Sequence, residues 1–454
     1  MRAPVIVGGG ISGLSAAYYL ARSGVTPVLV EKQARLGGVI QTETVDGCLV
    51  EYGPDSFLSS KPAALELIRE LGLGDEVISS NDHLRVTYIL RGGRLRPMPD
   101  GLMMMAPGRI LPLARTRLLG WRAKARMGLE YFRRPPAGPV ADRSVAEFIT
   151  DHYGAEALDY LAEPLLAGVY GGDPAHLSAR SVLTRFVDME QSHGSLTRAA
   201  IEARGRAPAS RTALFQTLKG GLGSLVAALE KRLPQPTQGA AETIERRGLN
   251  YRVRVDGQWL ETDHLVLACP AWQAALLVGG LSPALARALA ATPYTSSLIL
   301  ALGYAAGDAR SLPPGFGFLV PKRERERLVA CTFVGTKFSH RVPAGQVLLR
   351  CFFGGQNDEA ILNESDDQLA AIAHRELDRL CGLRAQPAFS RVARWHKSMA
   401  QFTVGHQQRL KEIEARLAEL PGLYLAGNAY IGIGIPDCVK MGRDAALRIV
   451  TCAR

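Results

Sequence analysis

The sequence predicts an α/β protein whose parallel sheet is assembled from segments far apart in the chain. Three observations predict it. The first 31 residues read as strand, glycine loop, helix and second strand. Apolar strand-like runs return at Leu265–Cys269 and Leu423–Ala426, and a helix-rich block and a set of alternating apolar segments lie in between. At 454 residues the chain has the length of two or three domains of about 150 residues each. Its 47% hydrophobic and 21% charged content is that of a globular protein and excludes a disordered chain.

Pro4-Val5-Ile6-Val7 is an apolar run fit for a buried strand, and Gly8-Gly9-Gly10-Ile11-Ser12-Gly13 follows at once. Leu14, Ala17, Tyr18 and Leu20 then fall at helical spacing, Gly24 ends that helix, and Pro27–Val30 is a second strand delivering Glu31. Pro62–Leu71 reads as a helix with proline in its first turn and Gly72 behind it. Joints rich in Pro, Gly or Arg fall at Arg133–Pro139, Arg204–Ser210 and Pro234–Gly239, and the block between the first two is mainly helical. Beyond the third, strands are expected at Asn250–Val255, Trp259–Leu260 and Leu265–Cys269. Tyr294–Tyr304, Phe316–Val320, Leu328–Phe333 and Val347–Phe353 then suit a mixed sheet. Asp366–Leu380 reads as a long helix, and Leu423–Gly427 as a strand entering a glycine-rich loop and a closing helix.

The net charge of +11 suggests an anionic partner. Eight of the basic residues (Arg109, Arg115, Arg117, Arg122, Lys124, Arg126, Arg133 and Arg134) crowd between Gly101 and Arg134 with one acid, Glu130, among Met, Leu, Trp, Tyr and Phe. Such a segment suits an anionic membrane surface; the competing reading is a core-facing helix with a solvated arginine face, burying Leu118, Trp121 and Leu129. No RNA-binding or zinc-finger signature accompanies the charge, so no nucleic-acid partner is expected. No apolar run reaches the ~18–20 residues of a membrane span, and no signal peptide is read before the glycine loop. The seven cysteines stand singly and read as free thiols of a reducing cytosol. The expected location is cytoplasmic, with peripheral attachment to the inner face of the membrane.

The spacing Gly8-x-Gly10-x-x-Gly13 gives the three glycines separate roles, namely the tight turn, close approach of backbone to a pyrophosphate, and packing of helix on strand. The helix N-terminus then offers free N–H groups and its dipole to the phosphates. Glu31 accepts hydrogen bonds from a ribose diol, which points to FAD or NAD rather than NADP. His152, His193, His340 and His396 stand alone, and no carboxylate pair, Ser-His-Asp order or metal cluster emerges.

Arg35-Leu36-Gly37-Gly38 follows Glu31, and here the sequence resembles the amine-oxidase-like FAD superfamily, which places R-x-G-G just after its ribose-binding acid. The resemblance extends through Glu51-Tyr52-Gly53-Pro54-Asp55-Ser56-Phe57, Gly168-Val169-Tyr170-Gly171-Gly172-Asp173, Gly315–Pro321, Leu425–Tyr430 and Gly434–Cys438. Together these segments resemble the porphyrinogen oxidases of haem biosynthesis along almost the whole chain. Amine oxidases carry an acid where this chain has Asn428, and monoamine oxidases attach their flavin through a cysteine of that loop. Cys438 after Asp437 matches the porphyrinogen-oxidase pattern and implies non-covalent FAD.

The resemblance implies FAD contacts at Gly8, Gly9, Gly10, Ile11, Ser12, Gly13, Glu31, Lys32, Arg35, Gly38 and Val39, at Gly53, Pro54, Asp55 and Ser56 beside the flavin, and at Ile433, Gly434 and Ile435 near its ribityl and ring. A backbone adenine contact falls on Glu242, where the family usually has Val. Gly168, Val169, Phe316, Leu319 and Phe352 are implied to line an apolar substrate pocket. The family's propionate-binding Arg falls on Thr87, which leaves Arg85, Arg91, Arg94 and Arg96 as replacements. Pro97-Met98-Pro99-Asp100-Gly101 resembles members from bacteria with coproporphyrin-dependent haem synthesis.

The expected division is a Rossmann-type FAD-binding unit (1–96, 212–273 and 395–454), a helical, membrane-associating unit (97–211) and a mixed-sheet substrate unit (274–394). The implied activity is six-electron oxidation of protoporphyrinogen IX to protoporphyrin IX with oxygen as acceptor, and the alternative is oxidation of coproporphyrinogen III. More distant alternatives are an amine or polyamine oxidase and a non-catalytic flavoprotein. No protein residue is assigned a catalytic role, because the flavin carries the chemistry. A homodimer is left open.

Overall fold

A five-stranded parallel sheet, in the order 237–238, 28–31, 5–7, 265–267 and 423–425, gathers the N-terminal strands with strands from the middle and the end of the chain. The structure is a computed structural model and describes residues 2–138, 140–206 and 213–452. The parallel sheet is built from strands that are short and apolar throughout, Val5–Val7 and Leu265–Leu267 being buried at every position, as a sheet covered on both faces requires. The helices Ile11–Arg22 and Ile435–Cys452 lie on one face and share a core through Leu14, Leu20, Val439 and Ile449. The other face packs against the three-stranded antiparallel meander 241–262 and the helices Ala271–Val278 and Pro283–Ala290.

The second large sheet is seven-stranded and mixed, in the order 389–400, 294–305, 346–354, 330–333, 317–319, 87–91 and 94–97. Only the pairing of 317–319 with 87–91 is parallel. Its outer face is covered by the helix Asp366–Cys381, whose Leu369, Ile372, Ala373 and Leu377 meet Leu298, Leu300 and Phe353 of the sheet. Ser365 and Gln368 form a reciprocal capping box at the start of that helix, and Gly382 in the left-handed region ends it.

Three expected boundaries fall inside packed elements. Strands 87–91 and 94–97 belong to the seven-stranded sheet, helices 271–290 share the core of the parallel sheet, and strand 389–400 runs through the boundary at 394. The division into three units stands as a proposal with these displacements. Pro139 and part of the expected joint at Arg204–Ser210, with the boundary at 211, lie outside the described residues.

The helical unit has one core, in which Phe148, Ile149, Tyr153, Leu161 and Leu196 are buried. Its basic segment splits both expectations. It breaks into the helices Ile110–Arg115 and Trp121–Leu129, which bury Leu113, Leu118, Leu119 and Met127 but leave Ile110, Leu111, Trp121, Leu129 and Phe132 exposed. Leu118 is therefore a core residue and Trp121 and Leu129 are not. No helix among the described residues is long and apolar enough to cross a membrane.

Candidate active site

The glycine loop leaves no room for side chains where the resemblance places a cofactor. A Cβ on Gly8 would lie 2.7 Å from the carbonyl oxygen of Ala268, and one on Gly13 only 1.9 Å from that of Gly8, so the helix sits directly against the turn. The first intrahelical bond runs from Leu14 N–H to Gly10 at 2.9 Å, and no side chain caps the helix. The N–H groups of Ile11, Ser12 and Gly13 are therefore left at an open end, and a Cβ on Gly10 would meet nothing within 4 Å. An uncapped helix start facing open space fits a pyrophosphate.

Glu31 stands at the end of its strand with Oε2 accepting from Gly9 N–H at 2.6 Å and Oε1 from Gln33 N–H at 2.8 Å. The carboxylate is thus fixed beside the loop and fits a ribose diol. Arg35 braces the next turn, donating to the carbonyls of Gly38 at 2.6 Å and of Leu36 and Ile40 at 3.2 Å. Gly37 N–H donates to Gly9 at 2.8 Å, so the two glycine loops lie together. Lys32 is exposed.

Gly53 meets Val39 so closely that a Cβ would lie 1.9 Å from the Val39 carbonyl oxygen. The C-terminal loop joins the same region because the helix Ile435–Cys452 crosses the first helix at glycine. A Cβ on Gly442 would lie 2.2 Å from Ser12 O, so the helix that Ile435 begins packs directly on the first turns of the first helix. Glu242, the position of the expected backbone adenine contact, falls at a bulge of the meander between the pairs Ala241–Val255 and Thr243–Arg254. Its side chain is exposed and ion-paired to Arg254 at 3.0 Å, and the chain paired alongside Glu31 is Thr237–Gln238.

The inner face of the seven-stranded sheet carries the expected substrate residues. Successive register pairs align Arg96, Ile89, Leu319, Ala330, Phe352, Ile299 and Ala393 in one row across it. Leu319 and Phe352 are half-buried in that row, two strands or ~10 Å apart. A Cβ on Gly168 would lie 3.6 Å from Leu319, and the neighbouring Val169 is 55% exposed, so the end of the helix Glu163–Tyr170 overhangs the row. Phe316 is buried just before the strand, its N–H bonded to Val86.

Trp395 on the same face donates Nε1–H to the Tyr52 carbonyl at 2.6 Å, and Arg350 donates to the Gly53 carbonyl. The apolar row is therefore flanked by the Gly168–Val169 turn on one side and the Gly53–Ser56 loop on the other.

Of the candidate propionate anchors, Arg91 is paired with Glu156 at 2.5 Å, Arg85 lies 3.8 Å from Asp82, and Arg94 is exposed. Arg96 is half-buried on the inner face and has no hydrogen bond or ion pair among the described residues.

Two groups escaped the sequence. Asp151, His152 and Glu190 gather their ligand atoms within 4.8 Å, which corrects the expectation that no histidine–carboxylate cluster forms. Both ring nitrogens of His152 face carboxylates, Glu130 at 2.8 Å and Glu190 at 3.2 Å, while Asp151 and Glu190 are also bound by Arg143. The cluster, with His152 and Glu190 buried and Asp151 at the surface, ties separate helices together. The second group is a charge cluster behind Gly53–Ser56, where Asp55 binds Lys337 at 2.9 Å and Arg350 at 3.2 Å and Glu51 binds Arg341 at 3.1 Å. Burial alone would raise the Asp55 carboxyl, but Lys337, Arg350 and Arg341 hold it well below the usual carboxylate range. Single lysines and arginines some 290 residues from their partners leave no local sequence signal.

A family model for flavin-containing amine oxidoreductases matches residues 11–450. The coproporphyrinogen III oxidase of Bacillus subtilis is 35% identical over 463 residues, covering 98% of this chain and 97% of that protein. The chloroplastic protoporphyrinogen oxidase of Nicotiana tabacum is 30% identical, covering 98% of this chain and 85% of that protein. Among solved structures, a protein provisionally described as a protoporphyrinogen oxidase from Exiguobacterium sp. 255-15 superposes with a TM-score of 0.89 at 30% identity over 99% of both chains. A putrescine oxidase superposes with a TM-score of 0.74 at 18% identity over 99% of both chains, a likeness of fold alone. The chain belongs to the flavin-containing amine oxidoreductase family and is an FAD-dependent oxidoreductase.

Proposed function

We propose that this flavin-dependent oxidoreductase oxidises coproporphyrinogen III to coproporphyrin III, with oxygen as the acceptor. Six bacterial relatives at 29–35% identity over almost the whole chain carry the name coproporphyrinogen III oxidase, five of them at 33–35%. Two plant relatives named for protoporphyrinogen stand at 28–30% and are covered to 84–85%, which favours the alternative over the protoporphyrinogen IX expected first. The observation that carries the reading is the apolar row Leu319–Ala330–Phe352, open between the Gly168–Val169 turn and the Gly53–Ser56 loop. A macrocycle needs apolar walls beside the flavin, and this face supplies them. Asn428, whose amide donates to the Ser398 carbonyl at 2.8 Å, replaces the acid of amine oxidases and favours the porphyrinogen reading over an amine substrate.

FAD, held non-covalently in this reading, would supply the hydride acceptor and would hand the electrons on to oxygen. Three rounds remove six hydrogens from the porphyrinogen and convert three O2 to three H2O2. The chain binds and orients. The uncapped helix at Ile11–Gly13 holds the phosphates, Glu31 the ribose and Gly53–Ser56 the flavin edge, while Leu319 and Phe352 seat the macrocycle and exclude water. Each round takes a hydride from a meso carbon, leaving a cation shared by the flanking pyrroles, and one proton. Over three rounds two protons leave pyrrole N–H groups and one leaves the remaining meso CH2, each acidified by that cation, so no strong protein base is needed. Arg96, unpaired and on the same face as Thr87, is the group that takes a substrate carboxylate.

The exposed Ile110, Leu111, Trp121, Leu129 and Phe132 stand among Arg115, Arg122 and Lys124, which supports peripheral binding to an anionic membrane on the cytoplasmic side. Anaerobic mixing of the purified protein with coproporphyrinogen III tests the main reading. Bleaching of the flavin band with appearance of porphyrin fluorescence is expected, and a flavin that stays oxidised refutes it.

A further inference from the structure

The charge cluster behind Gly53–Ser56 does not balance. Two carboxylates, Glu51 and Asp55, face three cations, Lys337, Arg341 and Arg350, and all five side chains are at most 13% exposed. Glu51 already accepts from Thr42 at 2.6 Å and Leu222 N–H at 2.7 Å, and Asp55 from Ser56 at 2.7 Å. Nε and Nη1 of Arg341 and Nε of Arg350 are buried with no partner. All three cations also lie on aromatic faces: Lys337 is 4.7 Å from the Phe215 ring centre, Arg341 4.8 Å from Phe338 and Arg350 5.2 Å from Phe352. A buried excess of positive charge is costly unless something nearby supplies the missing negative charge.

The excess lies at the seam of the site. Arg350 comes from strand 346–354 of the seven-stranded sheet, and Lys337 and Arg341 from the short helices that precede it. Glu51 ends strand 48–51 and Asp55 lies in the loop beyond it, and Arg350 reaches the Gly53 carbonyl itself. Phe352, two residues from Arg350 and on the same sheet face, belongs to the row proposed to seat the substrate.

We propose that the buried cations Lys337, Arg341 and Arg350 supply a net positive charge to the flavin edge held by Gly53–Ser56, and so favour the form of the cofactor that has gained an electron pair. The proposal rests on the FAD reading and on no particular substrate. Accepting hydride adds two electrons and one proton, so the isoalloxazine gains one negative charge, and a positive charge in a poorly hydrated seam offsets it. These are positioning and electrostatic residues; the hydride donor and acceptor are substrate and flavin.

Sulfite is the probe, because it needs no porphyrinogen. It forms an S–N5 bond on oxidised flavin, its electron pair entering the ring, which becomes anionic. Titration of the FAD-loaded protein is expected to show at least tenfold weaker sulfite binding in Lys337→Met and in Arg350→Gln. The two-electron potential should fall by ~30 mV for each tenfold. Lys337→Arg should stay within threefold of the parent, and Asp55→Asn, which removes a negative charge, should not weaken binding. General loosening of the seam would weaken all four. The proposal is overturned if Lys337→Met binds sulfite within threefold of the parent, or if Asp55→Asn weakens binding as much as Lys337→Met. Where Lys337→Met does not fold, Arg350→Gln is judged by the same limits. A parent protein that takes up no FAD overturns the cofactor reading itself, and is recognised by the missing flavin absorbance.

Discussion

Gly13 lies so close beneath Gly8 that a Cβ would stand 1.9 Å from the Gly8 carbonyl oxygen, whereas a Cβ on Gly10, three residues earlier, would enter open space. The two positions therefore separate packing from binding. Gly13→Ala forces helix and turn apart and is expected to lower stability by several kcal/mol as well as abolish FAD retention. Gly10→Ala should keep the parent denaturation midpoint and lose FAD affinity by tenfold or more, because its methyl occupies the space left for the pyrophosphate. Urea denaturation of the apoproteins and the ratio of flavin to protein absorbance after purification measure the two effects.

The Glu130 carboxylate is buried in the helical unit and is expected to contribute to its acid sensitivity. Burial would raise its pKa, but hydrogen bonds from His152, Thr197 and the Leu196 and Thr197 N–H groups hold it below the usual value. With the folded value depressed, its stabilisation is complete above the unfolded pKa of about 4.3 and is lost as pH falls through the lower folded value. Circular dichroism from pH 6 to 3 should show Glu130→Gln losing less stability over that fall than the parent, although it starts lower at pH 6. Equal slopes would exclude the carboxylate as the titrating group.

Arg96→Gln removes the unpaired guanidinium on the inner sheet face. One charge-assisted hydrogen bond is worth ~1.5–3 kcal/mol, so KM for coproporphyrinogen III should rise by ~10- to 100-fold with kcat little changed. Arg91→Gln, at a residue already held by Glu156, should act on stability rather than on KM. Initial rates over a substrate series decide between them.

The exposed apolar and basic helices 110–129 predict sedimentation with anionic vesicles at low salt. Each Lys or Arg near the surface is worth ~1 kcal/mol, screened over about 8–10 Å at physiological salt. Neutralising Arg115, Arg122 and Lys124 should therefore release the protein, and so should added salt, while Trp121→Ser should weaken binding that salt leaves behind. Protein that stays in the supernatant at low salt removes the membrane role.

What was legible in the sequence was local. The glycine loop, its strand and helix and Glu31 lie within 31 residues, and the structure places them together as their spacing requires. The long strands at 294–305 and 346–354 and the helix 366–381 were equally legible, because their apolar periodicity is sustained. Less legible was anything set by pairing across the chain. Strands 87–91 and 94–97 read as part of the first unit until their parallel partner at 317–319 is known. Lys337 and Asp55 are ordinary charges in sequence and a buried pair in space. Trp121 and Leu118 are three residues apart in one amphipathic stretch, yet the turn before helix 121–129 exposes one and buries the other.

The central claim is that this flavoenzyme works on coproporphyrinogen III, and its most direct test is a side-by-side measurement of kcat/KM on coproporphyrinogen III and protoporphyrinogen IX in air, with peroxide counted. Coproporphyrinogen III is expected to turn over faster, with three peroxides per porphyrin formed. A higher kcat/KM for protoporphyrinogen IX, or no porphyrin from either substrate by FAD-loaded protein, would contradict it.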